Sequence, residues 1–155
     1  MLPHLKTALQ KTARYCAYQE RSHKEVYNKL RTLKLTVDEA NEVISTLIQD
    51  DYLSEERYAC LYARSKFNQK KWGKVKIKQE LKFKDVSPRN IKKALEEIDQ
   101  DIYISVLIEL IQKKETQEKS TNEGIKLKKK VCDFVLRKGF ESYLVYEVYG
   151  DLYEK

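Results

Sequence analysis

The chain has 155 residues, with 31 lysines and arginines against 24 aspartates and glutamates, and it contains only four glycines and two prolines. So few turn-forming residues argue against a chain of many short strands, and no apolar run is long enough to span a membrane. The first residues show no charged-then-apolar leader, so we expect a cytoplasmic protein. A hydrophobic content of 41% beside 35% charged residues predicts helices around a core, with a well-solvated surface.

An internal repeat of apolar residues organises the chain. Each member of the first set recurs 51 positions later in the second set, and 54 positions further on in the third. The sets are Val26, Leu30, Leu35, Ala40, Val43, Ile44 and Leu47; Ile77, Leu81, Val86, Ile91, Ala94, Leu95 and Ile98; and Val131, Val135, Phe140, Val145, Val148, Tyr149 and Leu152. This period predicts an all-α protein of three tandem three-helix repeats in an elongated, curved array, at residues 1–53, 54–101 and 102–155.

Helix boundaries are marked along the chain. Residues 22–25 and 36–39 each fit a capping box, with a hydroxyl side chain followed three positions later by glutamate. Pro88 suits the first turn of a helix, and Gly139 suits a helix end. The polar stretch 115–124 predicts a mobile loop between the first and second helices of the third repeat.

The positive charge is concentrated in the basic segment, residues 64–84, which holds nine basic residues and one acidic residue. The remainder of the chain is nearly neutral. Lys71, Lys74, Lys78 and Lys82 recur at helical spacing and predict a basic stripe along one helix. If the repeats stack in register, basic second helices would form a continuous band for an acidic partner. The alternative is a solvated lysine face with no partner.

No catalytic or metal-binding pattern is found. His4 and His23 lie far apart, and no nucleophile and base are arranged together. There is no glycine-rich phosphate loop. Cys16, Cys60 and Cys132 are widely spaced without a paired motif, which indicates buried, reduced thiols. We therefore expect a protein that is not an enzyme and that uses no metal, cofactor or small-molecule substrate.

Trp72 is the aromatic residue with the strongest functional interest, because lysines surround it in the sequence. An exposed Trp72 could stack on a nucleic-acid base or fill a pocket of a partner protein. Alternatively, it packs at a repeat junction while Gly73 frees the turn. The sequence leaves both interpretations open.

Four motifs, in the right order along nearly the whole chain, resemble the bacterial RecX family. Residues 50–59 resemble its Gly-Tyr-Leu-(Asn/Asp)-Asp-x-Arg-(Phe/Tyr)-Ala segment, and residues 73–81 match its Gly-x-x-(Arg/Lys)-Ile-x-x-Glu-Leu pattern. Residues 21–30 resemble Arg-Ser-x-x-Glu-Leu-x-x-Lys-Leu, and residues 134–140 resemble Phe-Leu-x-x-Arg-Gly-Phe. The chain departs from the family pattern where Asp51 and Asp85 replace the usual glycines and where Glu55 replaces aspartate.

The resemblance implies a negative regulator of the RecA recombinase, active in DNA repair, recombination and the SOS response. Such a protein binds the groove of the RecA–single-stranded DNA filament and inhibits its ATPase, strand-exchange and co-protease activities. A basic array is complementary to that polyanionic filament. The residues expected to contact RecA, or single-stranded DNA within or near the filament, are Arg57, Arg64, Lys70, Lys71, Trp72, Lys74 and Lys78, extended by Arg21, Lys24, Lys128 and Lys129.

Two other functions remain open at this point. The chain could bind naked nucleic acid through helices that resemble recognition helices, although lysine predominates over the arginine, asparagine and glutamine that read base edges. It could also be a helical adaptor for an unrelated acidic protein.

Overall fold

A computed structural model describes residues 1–155 and contains nine α-helices and no strands, which confirms the predicted all-helical class. Each helix begins at or close to a capping or turn-forming residue. The helices are α1 (Pro3–Tyr18), α2 (His23–Thr32), α3 (Val37–Gln49), α4 (Glu55–Lys70), α5 (Lys74–Phe83), α6 (Pro88–Glu96), α7 (Gln100–Glu118), α8 (Gly124–Arg137) and α9 (Ser142–Tyr153).

Both predicted capping boxes are present. The Ser22 hydroxyl accepts from the Glu25 amide at 3.0 Å, and the Glu25 carboxylate accepts from the Ser22 amide at 3.1 Å. Thr36 and Glu39 repeat the pattern at 3.2 and 2.9 Å. Each pair satisfies two amides that a helix start would otherwise leave unbonded.

The predicted loop over residues 115–124 is wrong at its beginning. Helix α7 continues to Glu118, so only residues 119–123 connect it to α8. The physical reason is a side-chain pair: Lys114 Nζ lies 3.1 Å from Glu118 Oε1, one helical turn away. Such pairs stabilise a polar helix end that shows no apolar periodicity.

The second helix of each repeat ends in the same turn. Lys34, Asp85 and Gly139 occupy equivalent positions and have positive φ angles of 67°, 61° and 99°. The next amide donates five residues back in each case: Leu35 to Leu30 at 3.3 Å, Val86 to Leu81 at 3.1 Å, and Phe140 to Val135 at 3.3 Å. These are Schellman turns, in which the residues on either side of the turn are apolar and buried. The turn explains why glycine suits the family position that Asp85 fills here.

The repeated apolar positions form the core, as the period predicted. Of the three sets, only Ile44, Leu95 and Leu152 are less than fully buried. Among the cysteines, Cys16 and Cys132 are buried, and this burial raises the pKa of both thiols. Cys60 is only half-buried, so the expectation of three buried thiols is wrong for that residue.

The chain divides into two compact units. Unit 1 comprises residues 1–62 and 81–94 and contains α1–α3, the beginning of α4, the end of α5, and α6 as far as Ala94. Its core is built on Val26, Leu30, Val43 and Leu47. Unit 2 comprises residues 63–80 and 95–155 and contains the end of α4, most of α5, and α7–α9. The predicted repeat boundaries at residues 1–53, 54–101 and 102–155 stay a prediction.

Candidate binding surface

The basic segment is built around a tight turn between α4 and α5. Helix α4 ends at Lys70, and Lys71 takes a positive φ of 57°. The Trp72 amide then donates to the Lys66 carbonyl at 3.2 Å, and α5 begins at Lys74. The turn therefore places the lysines that end α4 beside those that begin α5.

Two glycines fix the beginning of α5 within unit 2. The Gly73 amide donates to the Lys138 carbonyl at 2.8 Å, and the Val75 amide donates to the Gly139 carbonyl at 2.9 Å. A Cβ atom on Gly73 would lie 2.3 Å from the backbone of Gly139. Gly73 is thus required for close backbone approach, and Lys71 provides the left-handed turn. Gly73 therefore does not supply the flexible residue of this turn, contrary to one of the two interpretations of the sequence.

Tyr103 is a second anchor for α5, and nothing in the sequence singled it out. Its buried hydroxyl accepts from the Lys74 amide at 2.9 Å and donates to the Glu141 carboxylate. Its ring packs between those of Phe67 and Phe140, at centroid distances of 5.6 and 5.0 Å. Burial, together with the hydrogen bond to Glu141, raises the pKa of Tyr103 far above its usual value. A neutral phenol therefore joins α5, α7 and the α8–α9 connection.

Trp72 is half-buried, and two lysine side chains lie close to its ring. The Lys66 and Lys76 ammonium groups lie 5.1 and 4.4 Å from the ring centre, within cation–π range. Sequence reasoning counted these lysines in the basic segment but did not select them as site residues. Helical spacing gave no signal for them, because Trp72 lies in the turn between α4 and α5 and not within either helix.

The selected cations of the basic segment have no carboxylate partner. No acidic side chain forms an ion pair with Arg64, Lys70, Lys71, Lys74 or Lys78. Lys74 Nζ instead donates to Gln100 Oε1 at 3.0 Å and lies 4.7 Å from the centre of the Tyr103 ring. The other four side chains are exposed at the end of α4, in the turn and along α5. Their charge is therefore available to an anionic partner.

The predicted cations outside this segment are all paired with acidic side chains. In unit 1, Arg21 lies 3.7 Å from Glu25 and Lys24 lies 3.6 Å from Asp85. In unit 2, Lys128 pairs with Glu154 and Lys129 with Asp133, each at 3.1 Å. These contacts reduce the net positive potential around each cation, so the structure separates two groups that the sequence treated alike.

Arg57 is the most strongly engaged of the predicted site residues. Its guanidinium contacts Glu20 at 3.0 Å, and Asp51 at 2.7 Å through the carboxylate and 2.8 Å through the carbonyl. Hydrogen bonds from Arg57 to Asp51 and to Glu20 raise its pKa. Asp51 has a positive φ of 63°, at the position where the family motif has glycine. Arg57 thus holds the α3–α4 turn together while about 40% of its side chain stays exposed.

No group of three or more histidine, cysteine, aspartate or glutamate side chains is placed to hold a metal ion. None of the nine helices has the length and apolar character needed to cross a membrane.

The fold and this basic segment define a class of protein: an all-helical repeat protein with a concentrated positive charge. Residues 54–95 match the family model for the second three-helix domain of RecX. The chain is 32% identical over 126 residues to the regulatory protein RecX of Bacillus cytotoxicus, covering 81% of this chain and 46% of that protein. A Bacillus cereus regulatory protein RecX is 30% identical over 131 residues, covering 84% and 48%.

Solved structures agree with these sequence matches. The crystal structure of RecX from Lactobacillus salivarius superposes with a TM-score of 0.88 and 26% identity, covering 96% of each chain. Another crystal structure, of a regulatory protein RecX, gives a TM-score of 0.84 and covers 94% of this chain and 71% of that one; at 21% identity it supports the fold alone. The chain belongs to the RecX family. It spans about half the length of the curated relatives it matches.

Proposed function

We propose that this chain is a negative regulator of RecA that binds the RecA–single-stranded DNA filament in its groove. Binding there inhibits ATP hydrolysis, strand exchange and co-protease activity. The observation that carries the proposal is the set of cations without carboxylate partners at the α4–α5 turn, in a chain of the RecX family. A filament that contains DNA is a polyanion, and unpaired ammonium groups at fixed positions favour fast, salt-sensitive association with it.

Within this proposal the predicted residues take two roles. Arg64, Lys70, Lys71, Lys74 and Lys78 supply the main electrostatic attraction, with Trp72 as an anchor beside them. The other predicted cations contribute less, because each already forms an ion pair with an acidic side chain; they are Arg21, Lys24, Arg57, Lys128 and Lys129. Recruiting any of the latter group to the filament means exchanging one ion pair for another, which yields little net free energy.

The test is the rate of ATP hydrolysis by the cognate RecA on single-stranded DNA as this protein is titrated in. Inhibition below one molecule per RecA subunit is expected. Replacing Lys70, Lys71 and Lys74 together by glutamate should raise the concentration needed for half-inhibition by at least about tenfold, since attraction becomes repulsion at three positions.

A matched control makes the same change in net charge in another part of the chain. Lys6, Lys11 and Arg14 are exposed on α1, and replacing them together by glutamate should leave inhibition close to that of the wild type. Circular dichroism of both triple variants verifies folding. Equal losses in the two variants would mean that net charge alone matters, and undiminished inhibition by the Lys70, Lys71 and Lys74 variant would exclude the basic segment as the interface.

A second function, binding of naked single-stranded nucleic acid, is favoured by the position of Trp72 beside Lys66 and Lys76. Aromatic rings flanked by cations stack on bases without reading their sequence. Binding of an oligothymidylate without RecA is measured in parallel. Tight, salt-dependent binding combined with an unchanged RecA ATPase would favour this second function over filament regulation.

A further inference from the structure

Unit 2 contains a cleft that the proposed filament contact does not explain. It has a volume of about 490 Å³ and lies between α7, α8 and the turn that follows α4. Its apolar lining is formed by Leu110 of α7 and Phe134 of α8. This volume falls in the range of pockets that enclose a ligand, and it is large enough for one or two apolar side chains.

Four lysines surround that apolar lining: Lys71, Lys113, Lys114 and Lys138. The Lys114 and Lys138 ammonium groups lie 4.9 and 5.9 Å from the centre of the Phe134 ring. The only acidic residue in the lining is Glu109. Glu118 lies outside it but pairs with Lys114 at 3.1 Å, so the charge of Lys114 is partly compensated.

The remaining three lysines keep their charge available. Lys138 Nζ donates to the Lys70 carbonyl at 3.1 Å, a contact that positions the ammonium group without neutralising it. Lys71 and Lys113 are exposed and have no acidic partner. The cleft therefore combines an apolar centre with a cationic rim, which is complementary to an apolar group flanked by negative charges.

The composition of the lining favours a peptide over a nucleic acid as the occupant. A phosphodiester chain has no aliphatic side chain to cover Leu110 and Phe134, whereas a peptide supplies both an apolar side chain and separate carboxylates. Glu109 can accept a hydrogen bond from a peptide amide. Leu110 offers an aliphatic contact that suits an apolar side chain.

We propose that this cleft binds an acidic peptide segment of a partner protein. One apolar side chain of the segment lies against Leu110 and Phe134. Its flanking carboxylates pair with the ammonium groups of Lys71, Lys113 and Lys138. The inference goes beyond RecA regulation, because it concerns peptide recognition by the chain alone and can be measured without any filament.

Fluorescence anisotropy of labelled peptides, with the full chain, tests the proposal. The probe is a short peptide with a leucine–phenylalanine pair flanked by aspartates, and its control has two glycines in place of that pair. The first peptide should bind at least about tenfold more tightly, a difference of ~1.4 kcal/mol. Equal binding of the two peptides would show that only charge is recognised, and would overturn the proposal.

Lys113→Glu tests the cleft itself, because an exposed position tolerates the change without unfolding the chain. We expect about tenfold weaker binding of the leucine–phenylalanine peptide. Lys126→Glu, on an exposed position of α8 outside the cleft, makes the same change in net charge and should bind as the wild type does. Equal affinities of the two variants would overturn the proposal.

An oligothymidylate provides the last comparison. It should not displace the labelled peptide from the cleft. Displacement that is abolished by Lys113→Glu would assign the cleft to nucleic acid instead. Because none of these measurements includes RecA, failure of the peptide proposal is distinguishable from failure of the filament proposal.

Discussion

At the residue scale, Gly139 shows why one repeat needs glycine where the others do not. Lys34 and Asp85 adopt the same left-handed turn with side chains present, so a positive φ alone does not require glycine. A Cβ atom at Gly139, however, would lie 2.3 Å from the Cβ atom of Lys76. Real Cβ contacts are never so short, and this collision is a property of unit 2 that the turn itself does not reveal.

Gly73→Ala should destabilise the chain by about 2 kcal/mol or more, because the backbone of Gly139 would have to move and two hydrogen bonds would stretch. Gly150→Ala, within α9, is the control. Its new Cβ meets nothing closer than 3.6 Å, and alanine favours a helix by up to ~1 kcal/mol over glycine. Urea unfolding measures both. Coincident unfolding midpoints for the two variants would show that the glycine contact is dispensable.

At the element scale, Glu55 joins the beginning of α4 to the beginning of α6. Its Oε1 atom accepts from the Ser87 amide and from Asn90 Nδ2, both at 2.8 Å. Burial opposes ionisation of this carboxyl, but the hydrogen bonds from Ser87 and Asn90 outweigh burial and hold the pKa of Glu55 below its usual value. The ionised form therefore supports the native arrangement of these two helices.

The pH dependence of stability follows from this lowered pKa. Because Glu55 has a lower pKa in the folded chain than in the unfolded chain, its contribution is complete above about pH 4.5 and is lost as the pH falls through the native value. Glu55→Gln should cost ~1 kcal/mol at neutral pH and should flatten the acid side of the stability profile. Urea unfolding between neutral and acid pH checks this. An acid slope identical to that of the wild type would contradict the assigned hydrogen bonds.

At the scale of the whole molecule, attraction to a polyanion depends more on which cations form ion pairs with acidic side chains than on the number of charges. The formal net charge is +7, yet the predicted cations outside residues 64–84 lie beside acidic groups. Those of the basic segment do not, since no acidic side chain from any part of the chain forms an ion pair with them. Long-range attraction to a polyanion therefore originates chiefly from one part of the chain.

Salt should consequently weaken binding to the RecA–single-stranded DNA filament, since counterions are released from the polyanion and surface charges are screened. The logarithm of affinity should fall linearly with the logarithm of the salt concentration. The variant with glutamate at Lys70, Lys71 and Lys74 should show a shallower slope, because fewer cations displace counterions. Anisotropy titrations with labelled filaments at increasing potassium chloride measure both slopes. A salt-independent affinity would exclude an electrostatic interface.

The sequence by itself determined the all-helical class, the repeated core positions, the capping boxes and the location of the basic segment. These depend on the spacing of residues within a few helical turns, and the same spacing of apolar residues occurs three times along the chain. The end of α7 was missed because an ion pair between Lys114 and Glu118, not apolar periodicity, continues the helix.

Only the tertiary structure decided that Lys24 pairs with Asp85 and Lys128 with Glu154, why Gly73 is a glycine, and that Tyr103 anchors α5. It also brought Lys71, Lys113 and Phe134 to one cleft. Each of these features joins residues that are distant along the chain, as Gly73 joins Gly139. Composition and local spacing do not encode such pairs. They arise from the packing of helices against one another, which brings separate parts of the chain within a few ångströms.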